Sequence, residues 1–159
     1  NGGHGEGVNQ GIRNARGIYY KVVDSDDWVD VPALKKALDK LRQFVRDGKL
    51  VDMLVCNYVY EHVEDNTQRV MHYRNVFPRN RVFGWEQIGR FRPSQYLVMP
   101  SVIYRTQLLR DCWSCPSTPS MWTTSSCISP CPRCGTSTIW MWTCTATSSA
   151  GRTSPSTRR

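Results

Sequence analysis

Apolar residues along the first 112 positions are spaced as in alternating helices and strands. Ile18 to Val23 is a short β-branched and aromatic run, which is typical of a buried strand. Val8 to Ala15 predicts a short helix after a glycine-rich turn over residues 2–7. From Ala33 to Val45 apolar residues recur at helical spacing, which predicts a longer amphipathic helix.

Local signals place the ends of that longer helix and the elements that follow it. Asp30 can cap its start, Pro32 fits its first turn, and Asp47-Gly48 can end it. Further elements are a strand over Val51–Tyr60, a hairpin partner over Gln68–Val76, a strand over Gln95–Tyr104 and a helix from Gln107 that Thr106 caps. This alternation predicts an α/β sandwich.

Length and charge exclude several classes of protein. The chain has 159 residues, of which 40% are hydrophobic, so it can bury a core and is not disordered throughout. No run of about 18 apolar residues is present, and no signal peptide is recognisable, so we expect no membrane span. The chain begins at Asn1, and we expect this end to have been cut from a longer protein. The net charge of +8 raises a nucleic-acid hypothesis, but arginines and aromatics interleave weakly, and we expect no nucleic-acid partner.

The composition changes abruptly at Cys112. All 13 acidic residues precede it, whereas the sequence after it is rich in Ser, Thr, Cys, Pro and Trp. We therefore divide the chain into a globular part, residues 1–112, and a low-complexity tail, residues 113–159. The tail is expected to be disordered or irregular because such sequence gains too little from burial to offset its ordering entropy.

The most distinctive chemistry is the cluster Asp24-Ser25-Asp26-Asp27, directly after the predicted strand Ile18–Val23. Ligands of open α/β sheets bind beyond the carboxyl ends of strands. Three adjacent carboxylates repel one another, and Mg²⁺ or Mn²⁺ relieves that repulsion while completing its shell with phosphate oxygens. The alternative is a solvated acidic loop in which Asp27 or Asp30 caps the next helix.

The glycine-rich stretch Gly3-His4-Gly5-Glu6-Gly7 is ambiguous by itself. Glycines allow a tight turn or a close approach of the backbone to a ligand. The spacing matches neither a Walker loop nor the dinucleotide-binding pattern, so a plain turn and a phosphate cradle both stay open.

The order of these segments resembles the family 2 glycosyltransferases. In that family a glycine- and asparagine-containing segment ending in A-x-G precedes a strand that closes with D-x-D-D. Residues 1–17, the run Ile18–Val23 and Asp24–Asp30 follow this order, and Pro100–Leu109 is similar to the family's later I-Y-R-x-x-L-L element. The resemblance covers residues 1–112.

The resemblance implies an incomplete GT-A fold, a Rossmann-like α/β/α sandwich. It implies transfer of a sugar from a nucleotide-diphospho-sugar to an acceptor hydroxyl, metal-assisted and inverting. Asp24 and Asp26 would hold Mn²⁺ or Mg²⁺, and Gly5, Asn9 and Asp27 would contact the donor, with Asp27 either orienting the sugar or capping the helix. The acceptor would be a carbohydrate or lipid-linked. The implied location is cytoplasmic, with peripheral association at the inner membrane surface.

Two parts of the family pattern are missing. The family's first strand, which binds the base of the nucleotide, would lie before Asn1. An inverting transferase needs a general base, which the family draws from an acidic element expected near residue 120, where this tail has no acid. The catalytic base is therefore unknown, and we expect this chain to be inactive or nearly so.

The tail cysteines allow two interpretations. Cys112, Cys115, Cys131 and Cys134 match four-thiolate zinc spacing, which would make the tail a zinc-binding module for nucleic acid or a protein partner. A shift of reading frame at Cys112 accounts for the whole tail instead. The codons permit "LELPEHTFYVDNIFVYQPLP" in the neighbouring frame, and its "YVD" would contain the missing acid. We favour the frame shift, which makes the paired cysteines a coding accident.

Overall fold

The fold was analysed in a computed structural model that describes residues 3–62, 66–93, 95–113 and 139–147. The helices are α1 (Gly3–Asn14), α2 (Val31–Arg46) and α3 (Thr106–Trp113). The strands are β1 (Tyr19–Lys21), β2 (Met53–His62), β3 (Thr67–Met71), β4 (Val82–Phe83), β5 (Val102–Arg105) and β6 (Ile139–Thr147). Single 3-10 turns lie at Trp85–Gln87 and Met99–Ser101.

The strands form one mixed sheet in the order β1-β5-β2-β6-β4, with β3 paired to the distal half of β2. Strand β5 is antiparallel to both of its neighbours, β1 and β2, so these two run in the same direction. Their carboxyl ends therefore lie at the same edge of the sheet. The antiparallel pairing of β2 and β3 confirms the predicted hairpin, but β3 ends at Met71 and not at Val76 as expected.

Side chains of β2 alternate between two hydrophobic clusters, one on each face of the sheet. Met53 and Val55 pack with Val8 and Ile12 of α1 and with Leu108 and Leu109 of α3. Leu54 and Cys56 pack with Ala33, Ala37, Leu41 and Phe44 of α2. Alternate residues of β2 face opposite sides of the sheet, and the apolar residues of α2 lie on one face of that helix. Helices therefore cover both faces of the sheet, which gives three layers. The predicted α/β/α sandwich is confirmed.

Helix α2 forms as its sequence predicts. Asp30 is the N-cap, and its Oδ2 accepts a hydrogen bond from the backbone N of Ala33 at 2.8 Å. A proline stands in the first turn, and the helix ends at the cap residue Asp47. Gly48 follows with φ of 67°, a left-handed conformation that glycine adopts without strain.

The glycine-rich stretch is not the predicted turn but part of helix α1, which begins at Gly3 instead of Val8. Glycines cost a helix about 1 kcal/mol each relative to alanine. Side-chain bonds and burial outweigh this cost. The Glu6 carboxylate accepts from Gln10 Nε2 at 2.8 Å, and Val8 and Ile12 are buried in the core.

Two further expectations about strands need correction. Strand β1 is half-buried, not buried, because it lies at the edge of the sheet and β5 alone of the described strands pairs with it. The strand expected over Gln95–Tyr104 is confined to Val102–Arg105. Before it, Ser101 N and Oγ both bond Val98 O, at 3.0 and 2.7 Å, and this turn replaces ladder pairing. Thr106 is the first residue of α3, and its Oγ1 donates to Gly17 O at 2.7 Å.

Nine residues of the tail depart from the expectation of irregular structure. They form β6 (Ile139–Thr147), parallel to β2 and antiparallel to β4. This stretch is rich in threonine, tryptophan and other residues that favour strands, which accounts for its pairing with an open strand edge. Trp113, the first residue of the tail, ends α3. Residues 114–138 and 148–159 lie outside the described residues, and the division of the chain at residue 112 stays a prediction.

Candidate functional site

The acidic cluster forms a turn just beyond the carboxyl end of β1. The backbone N of Asp27 donates to Asp24 O at 3.0 Å, which brings the three aspartates onto one short loop. Asp24 and Asp27 are half-buried and Asp26 is exposed. Asp30 is the N-cap of α2. The carboxylate of Asp27 therefore does not cap this helix.

Neighbouring carboxylates and burial affect the pKa of Asp27. Burial, together with the charges of Asp24 and Asp26, raises the pKa of Asp27 from 3.8 to about 6. The ammonium of Lys21 opposes this shift only in part. Asp27 is therefore close enough to Asp24 and Asp26 for their charges to disfavour its ionised form.

Lys21 lies beneath this loop. Its Nζ donates to the carbonyl oxygen of Pro100, which links β1 to the turn before β5. Burial lowers the pKa of Lys21, while the charges of Cys56 and Asp27 favour its protonated form. A small cleft opens beside it, between α2 and the sheet. Its lining residues are Lys21, Val29, Ala33, Leu34, Ala37, Cys56 and Ile103.

The register across β5 locates the loop relative to β2. Lys21 pairs with Ile103, and Ile103 pairs with Leu54. Asp24 lies three residues beyond Lys21, and Asn57 lies three residues beyond Leu54, so both follow these paired positions toward the same edge of the sheet. Asn57 is buried, and its Oδ1 accepts from the backbone N of Tyr73 at 3.3 Å.

Asn57 and Lys21 were not among the site residues predicted from the sequence. The amide Nδ2 of Asn57 is buried and has no hydrogen-bond partner in the part of the chain that the structure describes. Both residues could have been noticed in the sequence, because each is strongly polar and lies within an otherwise apolar strand.

Helix α1 contains the two remaining predicted residues, Gly5 and Asn9. The helix reverses into β1 through a short loop, and Tyr20 Oη donates to Val8 O at 3.4 Å. The amino-terminal half of α1 therefore extends toward the edge of the sheet at which the acidic loop lies. Asn9 is buried. Its Nδ2 donates to Glu6 Oε2 at 3.3 Å, and its Oδ1 lacks a hydrogen-bond partner among the described residues.

The donor set at the loop suits a cation that completes its shell with a ligand. Across residues 3–62, 66–93, 95–113 and 139–147, no group of three His, Cys, Asp or Glu side chains could hold a metal alone. Two carboxylates with phosphate oxygens are the usual arrangement for Mg²⁺. Asp24 and Asp26 would therefore need further oxygens from a bound ligand to complete the shell of such a cation.

A comparison with protein families gives one match. The family described as "Glycosyl transferase family 2" matches residues 1–107, which is most of the chain. The chain belongs to glycosyltransferase family 2. No curated protein and no solved structure matches it. The mixed sheet with helices on both faces fits the GT-A type of fold, and the resemblance found in the sequence is confirmed.

Several predictions about this family 2 glycosyltransferase stay predictions. The roles of Gly5, Asn9, Asp24, Asp26 and Asp27 rest on the family pattern, and the structure describes only where they lie. The zinc hypothesis needs Cys115, Cys131 and Cys134, which fall outside the described residues. No helix in the described part is long and apolar enough to cross a membrane.

Proposed function

We propose that this glycosyltransferase domain binds a nucleoside-diphospho-sugar through Mg²⁺ or Mn²⁺ held by Asp24 and Asp26, and directs the sugar toward an acceptor hydroxyl. The observation that carries the proposal is the Asp24–Asp27 turn at the carboxyl end of β1, at the edge where strands of α/β sheets meet their ligands. Family membership supports a nucleotide-sugar donor in general.

The chain's own residues would share the work of holding the donor. Asp24, which is half-buried, and Asp26, which is exposed, would supply carboxylate oxygens. When bound, a divalent ion would neutralise the diphosphate and stabilise the charge that develops on the departing nucleoside diphosphate. The closeness of the three carboxylates supports this arrangement, because the charges of Asp24 and Asp26, in addition to burial, raise the pKa of Asp27.

Lys21 would position the loop and not contact the diphosphate. Its Nζ is bonded to Pro100 O, and its charge lies close enough to Asp27 to stabilise that carboxylate. The charge of Lys21 would favour the ionised form of Asp27. The carboxylate oxygens of Asp27 would then accept hydrogen bonds from hydroxyls of the donor sugar. The acceptor would be a carbohydrate or a lipid-linked saccharide, as in the family.

Proton removal from the acceptor would need a further carboxylate. Every acid of this chain precedes residue 112, and the acidic element expected near residue 120 is absent from the sequence. We therefore propose that this chain binds its donor but turns it over very slowly. Binding and turnover are separable, so a measurement of binding alone tests the metal and nucleotide site.

The test is a calorimetric titration of the full chain with uridine, guanosine and thymidine diphosphates, each with and without Mn²⁺. One nucleotide should bind only in the presence of Mn²⁺, and Asp26→Asn should weaken that binding at least tenfold. Asp39→Asn, on the exposed surface of α2, is the matched control and should bind as the unaltered chain does. Equal affinity of Asp26→Asn and the unaltered chain, or binding that ignores Mn²⁺, would refute the proposal.

A further inference from the structure

The segment from Asn66 to Pro93 is strongly basic. It contains six arginines and a single acid, Glu86. All six arginines are exposed. Within the described residues, Arg74, Arg90 and Arg92 form no ion pair. Each therefore presents a charge that no neighbouring acid neutralises.

A hydrogen-bond network draws two loops of this segment together. Asn75 Nδ2 donates to Arg90 O at 3.2 Å and to Gln95 Oε1 at 3.1 Å. Gln95 Nε2 donates to His72 O at 2.7 Å, and Arg92 N donates to Gln95 Oε1 at 2.9 Å. The loop of residues 72–76 is thereby joined to residues 89–93 and to Gln95, so the backbones that carry Arg74, Arg90 and Arg92 lie close together.

Close backbone packing supports the same arrangement. Gly89 N donates to Val76 O at 2.6 Å, and a Cβ on Gly89 would lie 2.5 Å from Asn75 O. Only glycine permits this approach. The two loops therefore pack closely against each other, which keeps the backbones of their arginines near one another.

Aromatic rings stand among these arginines. Phe91 is 37% exposed, and its ring packs at 5.7 Å from Phe77 and 6.4 Å from Tyr73, centroid to centroid. Tyr96 is 53% exposed, and its backbone oxygen accepts from Tyr73 Oη at 2.9 Å. Both residues are thus anchored to the core while much of each side chain reaches solvent.

We define the arginine patch as Arg74, Arg79, Arg90 and Arg92 with Phe91 and Tyr96. The positive potential of the patch affects His72, because burial and the charges of Arg74 and Arg79 lower the pKa of this residue. Arginines flanking partly exposed aromatic rings are the composition of surfaces that lie on anionic bilayers. The guanidinium groups meet lipid phosphates while the rings enter the interfacial layer.

We propose that the arginine patch docks this glycosyltransferase onto a bilayer that contains anionic lipids. The patch belongs to the face of the sheet opposite α2, since Tyr73 and Phe77 pack in the cluster that includes α1 and α3. This inference concerns residues other than those of the acidic loop and a ligand other than the nucleotide, so it does not depend on the nucleotide-binding proposal.

The test is co-sedimentation of the full chain with vesicles of phosphatidylcholine, alone or mixed with phosphatidylglycerol. The chain should bind only the anionic vesicles and should be released as salt is raised. Arg90→Gln/Arg92→Gln should weaken binding roughly 20-fold, from about fivefold per arginine. Phe91→Ser should also weaken vesicle binding. Its effect should persist at high salt, because salt screens the charges but not the apolar contribution of the ring.

Lys35→Gln/Lys36→Gln is the matched control, because it removes the same charge from the exposed face of α2. It should keep its vesicle affinity, and both double variants should keep the circular dichroism of the parent. Equal loss in the two double variants would show a mere effect of net charge and would overturn the proposal. Absence of binding to anionic vesicles would overturn it as well. So would arginine-dependent binding of a single-stranded oligonucleotide without vesicle binding.

Discussion

The hydroxyl of Tyr20 occupies the space that a side chain on Gly11 would need. A Cβ built on Gly11 overlaps that oxygen and lies 3.2 Å from Tyr20 Cζ. Tyr20 Oη also donates to Val8 O in the same helix. The absence of a side chain at Gly11 therefore sets how closely α1 approaches β1, the strand that leads into the acidic loop.

Gly11→Ala should lower the free energy of unfolding by about 1–2 kcal/mol, because the clash with Tyr20 outweighs the gain in helix propensity. Gly7→Ala is the control, since its Cβ would meet nothing within 4 Å. That variant should be more stable than the parent by about 0.5–1 kcal/mol. Urea unfolding measures both. Adding Tyr20→Phe to Gly11→Ala should recover part of the loss, and no recovery would show that the hydroxyl is not the obstacle.

The ion pair of Arg105 and Asp52 should contribute measurably to stability. Asp52 Oδ1 accepts from Arg105 Nη2 at 2.6 Å and from Nε at 2.8 Å, and both side chains are largely buried. Asp52→Asn should cost about 1.5–3 kcal/mol, because a charged hydrogen bond is lost in a partly buried position. The exposed pair Arg42–Asp39 is the comparison, and Asp39→Asn should change stability by less than about 0.5 kcal/mol. Similar losses at the two sites would contradict this ranking.

Asp27 should make the folded state less stable as the pH rises. Its pKa is about 6 in the folded chain against 3.8 as the unperturbed value, so the folded state binds the proton more tightly. Stability is then lost as pH rises from about 4 to about 6. With EDTA present, Asp27→Asn should be more stable than the parent by about 1 kcal/mol at pH 7, after allowance for solvent screening. The difference should vanish below pH 4, and a difference that does not change with pH would contradict this prediction.

The tail hypothesis makes a prediction about activity. If the reading frame shifts at Cys112, nucleotide sequencing across that codon should reveal the neighbouring frame. A chain continued in that frame regains an acid near residue 120. It should then hydrolyse or transfer from a nucleotide sugar at least a hundredfold faster than the chain with the Ser/Thr-rich tail. Stoichiometric zinc in the purified chain, together with sequencing that supports the present frame, would contradict the hypothesis.

Prediction succeeded where a few neighbouring residues decide the outcome. The start of α2 follows from Asp30 and the proline after it, and the β2–β3 hairpin follows from two extended runs separated by a turn. The strand expected over Gln95–Tyr104 was too long because Gln95 and Ser101 bond to residues outside the ladder. Such competition is invisible to pattern alone.

The order of residues in the chain was enough to identify the family and to place three carboxylates after a strand, because adjacency along a chain is local information. The tertiary structure alone decided that Lys21 bonds Pro100 O, that Asn57 accepts a hydrogen bond from Tyr73 N, and that Asn75 bonds Arg90 O. These residues are far apart in sequence or lie on different strands. Sheet register and loop packing bring them together, and neither is determined by any short stretch of residues.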